Sequence, residues 1–595
     1  MARLDTQRSK GDCGRSTGKA PALRPSKNGR WRALALILVH VVVALHVAHW
    51  MATGSTLSPL EPSEAMEFSK HDLVNAGFVF FGLTILSTLV LGRWFCGWAC
   101  HLVALQDLCL WLLKRVGIRP RPLRSRLLAL VPALAALYMF AYPLLYRLGQ
   151  GVELGPVKVA LTKTDFWATF PPWPVALATF AVCGFVSVYF LGAKGFCTYA
   201  CPYGALFGLA DRFAPGRIRV TDACEGCGHC TATCTSNVIV HEEVAKFGMV
   251  VDQGCMKCLD CVSVCPKGAL YFGFGKPAGR LAQQSGQRAR PGVGWGEELL
   301  LAALFLAAFL IYRGLYGVIP FLLALGLSGV LAFAFTTLVR VLRRPSTSLL
   351  GRALRRAGRL TGTGRALATS LAAVALLSVH SALIQFHARR SAAAFEELRP
   401  LREAFLDDSE RTLTAEALPR AERGLASANF VRRFGLLPVP GSGVQHAWLS
   451  LLTGSPQGFE NGIRSVAPDA PEFAATRFDL ARFLAARGKS EAAATELETA
   501  LAASPSAAGF DRLARLHWQA GRATETLVLF ERALALYPAN PDLWFNQGVV
   551  LGLLGRGDEA ATSFRRVLEL APERSDAREN LAGILEASGP GTEAR

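Results

Sequence analysis

Fifteen cysteines carry the chemistry legible in this 595-residue chain, and none lies beyond position 265. Eight fall into two runs. Cys224, Cys227, Cys230 and Cys234 follow the pattern C-x2-C-x2-C-x3-C; Cys255, Cys258, Cys261 and Cys265 repeat it, closing on Pro266 where the first run has Thr235. Four more form two matched pairs, in Leu91-Gly-Arg-Trp-Phe-Cys96-Gly-Trp-Ala-Cys100-His101 and Leu191-Gly-Ala-Lys-Gly-Phe-Cys197-Thr-Tyr-Ala-Cys201-Pro202. Cys13, Cys109 and Cys183 show no such arrangement and read as incidental or packing residues. Clustered thiolates at these spacings suit iron–sulfur clusters or zinc.

The doubled run has the spacing of bacterial two-cluster ferredoxins, in which the fourth cysteine of each run ligates the other cluster. Three thiolates on one tight loop cap three corners of a cubane, and the fourth reaches the neighbouring site. By that logic Cys224, Cys227, Cys230 and Cys265 hold one [4Fe-4S] cluster through iron, and Cys255, Cys258, Cys261 and Cys234 hold the other. A pair of zinc knuckles is the alternative, disfavoured by eight cysteines in a repeated pattern. Lys257, Lys267 and His229, close to these ligands in sequence, are expected to raise the cluster potentials by electrostatics. The two C-x3-C pairs are expected to share one further site through Cys96, Cys100, Cys197 and Cys201. That site would be a third cluster or a redox-active dithiol, against the alternative that small residues simply pack helix ends.

The elements that must position these thiols are membrane helices. Charged residues make up 18% of the chain, apolar residues 51%, and mean hydropathy is +0.30, which excludes an ordinary soluble enzyme and a disordered chain. Seven apolar stretches approach the roughly 20 residues a span needs: about 32–50, 73–92, 127–146, 174–192, 298–312, 315–339 and 366–386. The fifth and sixth are expected to form a hairpin around Arg313-Gly314. Nine Lys/Arg in 1–32, six in 113–126 and eight in 340–365 fall on one side, against five in the loops between. By the positive-inside rule this sets a cytoplasmic N-terminus and an external C-terminus. The net charge of +19 is thus a topology signal, and its split into short juxtamembrane blocks argues against nucleic acid. The first span reads as a retained anchor, because its apolar run is long and no clear cleavage site follows. An external region without cysteine leaves no place for a disulfide framework.

Histidines inside spans are functional candidates. His40, His46 and His49 lie in the first, His380 in the last, with His387 at its edge. His46 and His380 both sit about 21 Å along their helices at 1.5 Å per residue, so the two imidazoles are expected to reach a similar depth. Three alternatives stand for them: hydrogen-bonded helix packing, a quinol contact, or a b-type haem, the last disfavoured.

Beyond residue 470 a period of 33–34 residues appears: Gly488, Gly521, Gly555; Pro505, Pro538, Pro572; Leu497, Phe530, Phe564; Ala500, Ala533, Val567. This is the pattern of tetratricopeptide (TPR) repeats, helix hairpins that stack into a protein-gripping concave array. The expected fold is mainly α: a polytopic bundle of about seven spans, a small α+β two-cluster ferredoxin-like insert, and a C-terminal TPR α-solenoid. The expected divisions are a basic cytoplasmic segment 1–31, a membrane domain 32–212, the ferredoxin-type domain 213–275 and a linker 276–297. Further spans in 298–386, a helical linker region 387–470 and TPR repeats 471–590 complete the chain.

The twelve-cysteine pattern over about 70–275 resembles the membrane polyferredoxins typified by NapH, NosR and CcoG. His101 departs from the proline usual in their first elbow. The resemblance implies an iron–sulfur electron-transfer protein of a bacterial inner membrane, with cytoplasmic clusters, exchanging electrons between a quinone pool or soluble donor and a redox partner. A quinol dehydrogenase-type activity is compatible with it, and no catalytic residue is assigned. The external TPR array is expected to dock a periplasmic protein. The alternative function is an assembly or maturation factor that reduces a metal or thiol in a respiratory metalloenzyme, using the TPRs to recruit its client.

Overall fold

Helix length and capping decide where the membrane segments begin. Ser26 caps the first helix, Lys27–Thr53, accepting the Gly29 N–H at 3.0 Å. Five more helices are long and apolar enough to cross a bilayer: Leu128–Gly149, Trp173–Leu191, Trp295–Tyr312, Phe321–Arg343 and Gly362–Glu397. The computed structural model describes residues 26–118, 120, 123–152, 155–166, 171–285, 293–349, 352–408 and 411–587. Cys13, residues 1–25 of the basic segment, 286–292 of the expected linker and 588–590 of the repeat region lie outside the described residues.

Six of the seven expected stretches fold as helices of at least 18 residues, and the seventh is shorter. The stretch expected at 73–92 folds as the 16-residue helix Ala76–Leu91, about 24 Å long at 1.5 Å per residue and short of a ~30 Å hydrocarbon core. Asn75 starts it, its side chain accepting the Phe78 N–H at 2.8 Å, and Gly92 ends it. The hairpin expected at Arg313-Gly314 is wider, because Gly314, Tyr316 and Gly317 take left-handed backbone and Pro320 delays the next helix to Phe321. The last helix runs 36 residues rather than the 21 expected.

The chain divides into two compact units, Met1–Val379 and His380–Arg595. In the first, the insert after Asp211 is a small α+β body. Strand Arg217–Val220 pairs antiparallel with Leu270–Gly273, Ile218 opposite Phe272. Helices His229–Thr233, Val240–Phe247 and Asp260–Ser263 close over it. Ile218, Val238, Val240, Val244, Val250 and Leu270 form its apolar core, with Cys230 and Cys261 among them.

The insert extends past residue 275, and the first part of the expected linker belongs to it. Ala278 and Ala282 are buried with Val251 and Met249, and Ser285 Oγ lies 2.6 Å from both Glu243 Oε1 and Asp252 Oδ2. Burial and the Asp252 carboxylate push the Glu243 carboxyl up, so the serine hydroxyl bridges two acids that would otherwise repel. Ser285→Ala is expected to cost about 1–3 kcal/mol, the range for orphaning a buried polar group. A urea titration of the full protein followed by cluster absorbance checks it.

In the second unit, hairpins pair Phe473–Ala485 with Ser490–Ala503, Ala507–Gln519 with Ala523–Leu536, and Pro541–Leu553 with Gly557–Leu570. Ser575–Ala587 covers the end. Each turn passes through Gly488, Gly521 or Gly555 in left-handed conformation. Leu497, Phe530 and Phe564 are 1–2% exposed and stack as one continuous core. The region before it is also helical, with Trp448 and Phe459 continuing that core.

Candidate iron–sulfur centres

The two cysteine loops of the insert have the same backbone shape. Gly226 and Gly228 take positive φ in the first loop; Lys257 and Leu259 take it at the matching positions of the second. These left-handed residues curl each loop around a cavity, and in the second loop two non-glycine residues accept that strain. One cavity, of about 390 Å³, is lined by Cys224, Cys227, Cys230 and Cys265. The other, of about 340 Å³, is lined by Cys234, Cys255, Cys258 and Cys261. Each run thus sends its fourth cysteine into the other run's cavity. Cys224 and Cys227 are exposed, whereas Cys258 and Cys261 are buried. Burial pushes the Cys230 thiol up to about 11 and the Cys258 thiol up to about 12, so both are neutral thiols at pH 7 unless a metal holds them as thiolates.

Among the described residues no three His, Cys, Asp or Glu side chains converge closely enough to hold a single metal ion. A cubane spreads its thiolates over four corners, wider than the ligands of one ion. Four cysteines line each cavity, the number a cubane takes.

The elbows follow the Ala76–Leu91 and Trp173–Leu191 helices. Short helices Trp94–Trp98 and Gly195–Tyr199 carry Cys96 and Cys197, and Cys100 and Cys201 precede His101–Arg115 and Pro202–Asp211. All four thiols lie in one cluster. Burial, then the Cys96 and Cys197 thiols, push Cys100 up to about 12; burial pushes Cys197 up to about 11 despite Lys194. Cys96 Sγ receives a hydrogen bond from Arg93 Nε at 3.4 Å, and Cys197 Sγ from Gln106 Nε2 at 3.3 Å. Arg93, Lys194 and Gln106 are all buried.

The first elbow also seats against the second cysteine loop. Trp98 Nε1 donates to the Lys257 carbonyl at 2.9 Å, and Arg93 Nη1 donates to the Gln253 carbonyl at 2.8 Å. A Cβ on Gly97 would stand 2.2 Å from the Met256 carbonyl oxygen. Asp211 anchors the junction, accepting the Arg93 backbone N–H at 3.0 Å and binding Lys257 Nζ at 2.8 Å and Arg217 Nη2 at 3.1 Å. The first helix joins it too, through Ser26 Oγ to Asp260 Oδ1 at 2.6 Å and Arg32 to Asp107 at 3.0 Å.

Several expectations need correction in this light. Lys257 pairs with Asp211 and still favours the Cys255 thiolate, and Lys267 pairs with Glu225 at the surface at 2.9 Å. His229 Nδ1 has no hydrogen-bond partner among the described residues. Cys109 and Cys183 are buried packing residues, against Gly184 and Gly326 respectively. His46 Nε2 bonds the Leu57 carbonyl at 3.0 Å and its ring lies 5.0 Å from Phe166. His380 belongs to the other compact unit, where its Nε2 is buried without a partner among the described residues. Arg93 and Asp211 were missed in the sequence. Arg93 and Lys194 both stand three residues before the first cysteine of their elbow, a signal visible once the repeats are superposed.

Comparison with known proteins agrees with this geometry. The 4Fe-4S dicluster domain family matches residues 223–270, and the 4Fe-4S binding domain family matches 75–119 and 173–221, each segment containing one elbow. A tetratricopeptide repeat family matches 512–575 and 554–595. The putative electron transport protein YccM of Escherichia coli K12 is 26% identical over 339 residues, covering 51% of this chain and 90% of its own length. The ferredoxin-type protein NapH of Haemophilus influenzae is 25% identical, covering 34% of this chain and 67% of NapH. The methylamine utilization ferredoxin-type protein MauN of Paracoccus denitrificans is 32% identical, covering 27% of this chain and 53% of MauN. The chain carries two or more iron–sulfur clusters and, with six helices of membrane-spanning length among the described residues, is an integral-membrane polyferredoxin with a C-terminal tetratricopeptide repeat region.

Proposed function

We propose that this protein moves single electrons through three thiol-held centres in a fixed order, between a surface partner and the membrane. Cys224, Cys227, Cys230 and Cys265 would hold the first centre, Cys234, Cys255, Cys258 and Cys261 the second, and Cys96, Cys100, Cys197 and Cys201 the third. Cubanes bound there supply one-electron chemistry at potentials that surrounding charge and burial set. The observation that carries the reading is the gradient of exposure along one contiguous path. Cys224 and Cys227 are open to solvent, Cys258 and Cys261 of the second site are buried, and at the elbows Cys96, Cys197 and Cys201 are buried and Cys100 half-buried.

The chain's own residues give each station a task. Exposed Cys224 and Cys227 leave the first centre open to a soluble redox partner. Trp98 and Gly97 hold the elbow against the Cys255–Cys258 loop, which keeps the second and third centres close. The apolar helices that end at the elbows bring the third centre to the membrane, where a quinone is the natural partner. With the basic blocks in the cytoplasm, all three centres lie on the cytoplasmic side. With the short apolar helix Ala76–Leu91 taken as a seventh crossing, the TPR array faces the periplasm and docks a protein partner there.

Anaerobically purified protein tests this. About twelve iron and twelve acid-labile sulfide per chain are expected for three cubanes. Cys96→Ser combined with Cys197→Ser is expected to lose about four of each while both ferredoxin-type signals survive. An iron content unchanged by that double substitution would remove the third centre from the scheme.

A further inference from the structure

The two elbows are built alike, yet their buried cations are treated differently. Lys194, three residues before Cys197, is 1% exposed and pairs with Asp107, which Arg32 also engages. Arg93, three residues before Cys96, is 6% exposed. Among the described residues no carboxylate pairs with its guanidinium; Asp211 takes only its backbone N–H. The fork reaches sulfur instead. Nε donates to Cys96 Sγ at 3.4 Å, and Nη2 lies against Gly204, 3.1 Å from where a Cβ there would stand, beside the Cys197 carbonyl and Cys201.

A buried cation with no counter-charge costs several kcal/mol. Neutral thiols offer Arg93 no such charge, whereas four thiolates on an iron–sulfur core leave a net negative centre. We propose that Arg93 is the positioning residue of the elbow centre, supplying the unbalanced positive charge its thiolates require and raising its potential; this rests on the elbow-cluster reading above. Lys194 also acts on Cys197, but its charge is partly offset by Asp107, so its share in the role is the smaller one. Because Nη1 also holds the Gln253 carbonyl beside the second cysteine loop, Arg93 fixes the elbow centre relative to its neighbour as well.

The test is an EPR-monitored redox titration of the full-length protein, purified without oxygen, as wild type, Arg93→Gln, Arg93→Lys and Lys194→Gln. A positive charge near a centre favours its reduced form. In Arg93→Gln the reduced-to-oxidised ratio of the elbow centre at a fixed potential should fall at least tenfold, which is about 59 mV for a one-electron couple. The signal of the exposed Cys224 centre should not move. Arg93→Lys, which keeps the charge, should recover most of the shift, and Lys194→Gln should move the midpoint by less than Arg93→Gln does. If Arg93→Gln fails to assemble, the contrast between Arg93→Lys, with its signal retained, and assembled Lys194→Gln still reads the effect. In that case a reduced-to-oxidised ratio that falls tenfold or more in Lys194→Gln while Arg93→Lys stays near wild type would overturn the proposal.

Two negative results are distinct. A wild type with only two cubanes' worth of iron overturns the elbow-cluster reading and this proposal with it. A third signal that is present but equally placed in wild type and Arg93→Gln overturns the role of Arg93 alone.

Discussion

Asp211→Asn is expected to destabilise the first unit by about 3–5 kcal/mol, the range for breaking a buried charge cluster from one side. Asp211 is fully buried, with Lys257 Nζ at 2.8 Å and Arg217 Nη2 at 3.1 Å. Both cations are buried as well, so the substitution strands two positive charges in a space that offers no water. Arg217 keeps the Val250 carbonyl at 3.0 Å and the Asp211 backbone carbonyl, which limits the loss without cancelling it. The measurable result is a lower denaturant midpoint for bleaching of the cluster absorbance, with the second centre lost before the first. Arg217→Lys, which retains charge but not the fork, should fall between the two.

The same carboxylate gives the insert an acid limit. Burial pushes the Asp211 pKa up, but Lys257 and Arg217 outweigh it and hold the group below its ordinary value. A carboxyl whose folded pKa is depressed contributes its stability in full above the unfolded value, near 3.9, and loses it as pH falls through the folded value. Stability from this cluster is therefore flat from neutrality to about pH 5 and declines below about pH 4. In Asp211→Asn that part of the acid dependence should vanish, leaving a shallower slope in the same urea titration repeated at each pH.

How much of this was readable in advance depends on how local each signal is. The cysteine runs are local: spacing within eleven residues sets which thiols share a loop, and the crossed placement of Cys234 and Cys265 follows from loop geometry. The helices are local too, since apolar length and caps decide them, although Ala76–Leu91 stops short where Asn75 and Gly92 bound it. The TPR turns were marked by Gly488, Gly521 and Gly555 for the same reason. What escaped depends on partners far along the chain. Lys257 read as a free charge beside a cluster because its counter-ion lies 46 residues earlier. Ser285 read as linker because its two acids lie at positions 243 and 252. Arg93 escaped because Gly204 and Gln253, which surround it with Cys96, lie more than 100 residues away.

Gly97→Val is expected to have a large effect on the second and elbow centres while leaving every cysteine in place. A Cβ at position 97 would stand 2.2 Å from the Met256 carbonyl oxygen and 3.5 Å from the Cys258 amide nitrogen. The obstacle is backbone inside a ligand loop, not the end of a flexible side chain, so relief requires the elbow and the Cys255–Cys258 loop to part. Overpacking of this kind costs about 1–3 kcal/mol where side chains can adjust, and here the Trp98 bond to Lys257 and the Arg93 bond to Gln253 must stretch as well. The exposed first cavity, lined by Cys224, Cys227, Cys230 and Cys265, does not include Met256. Its signal should survive unchanged in anaerobic EPR spectra of Gly97→Val, while those of the second and elbow centres broaden or disappear. Gly97→Ala should show the same order of damage in milder form. If the exposed centre were lost first, the elbow would not be seated on the second loop, and the sequence of centres drawn from that contact would fall.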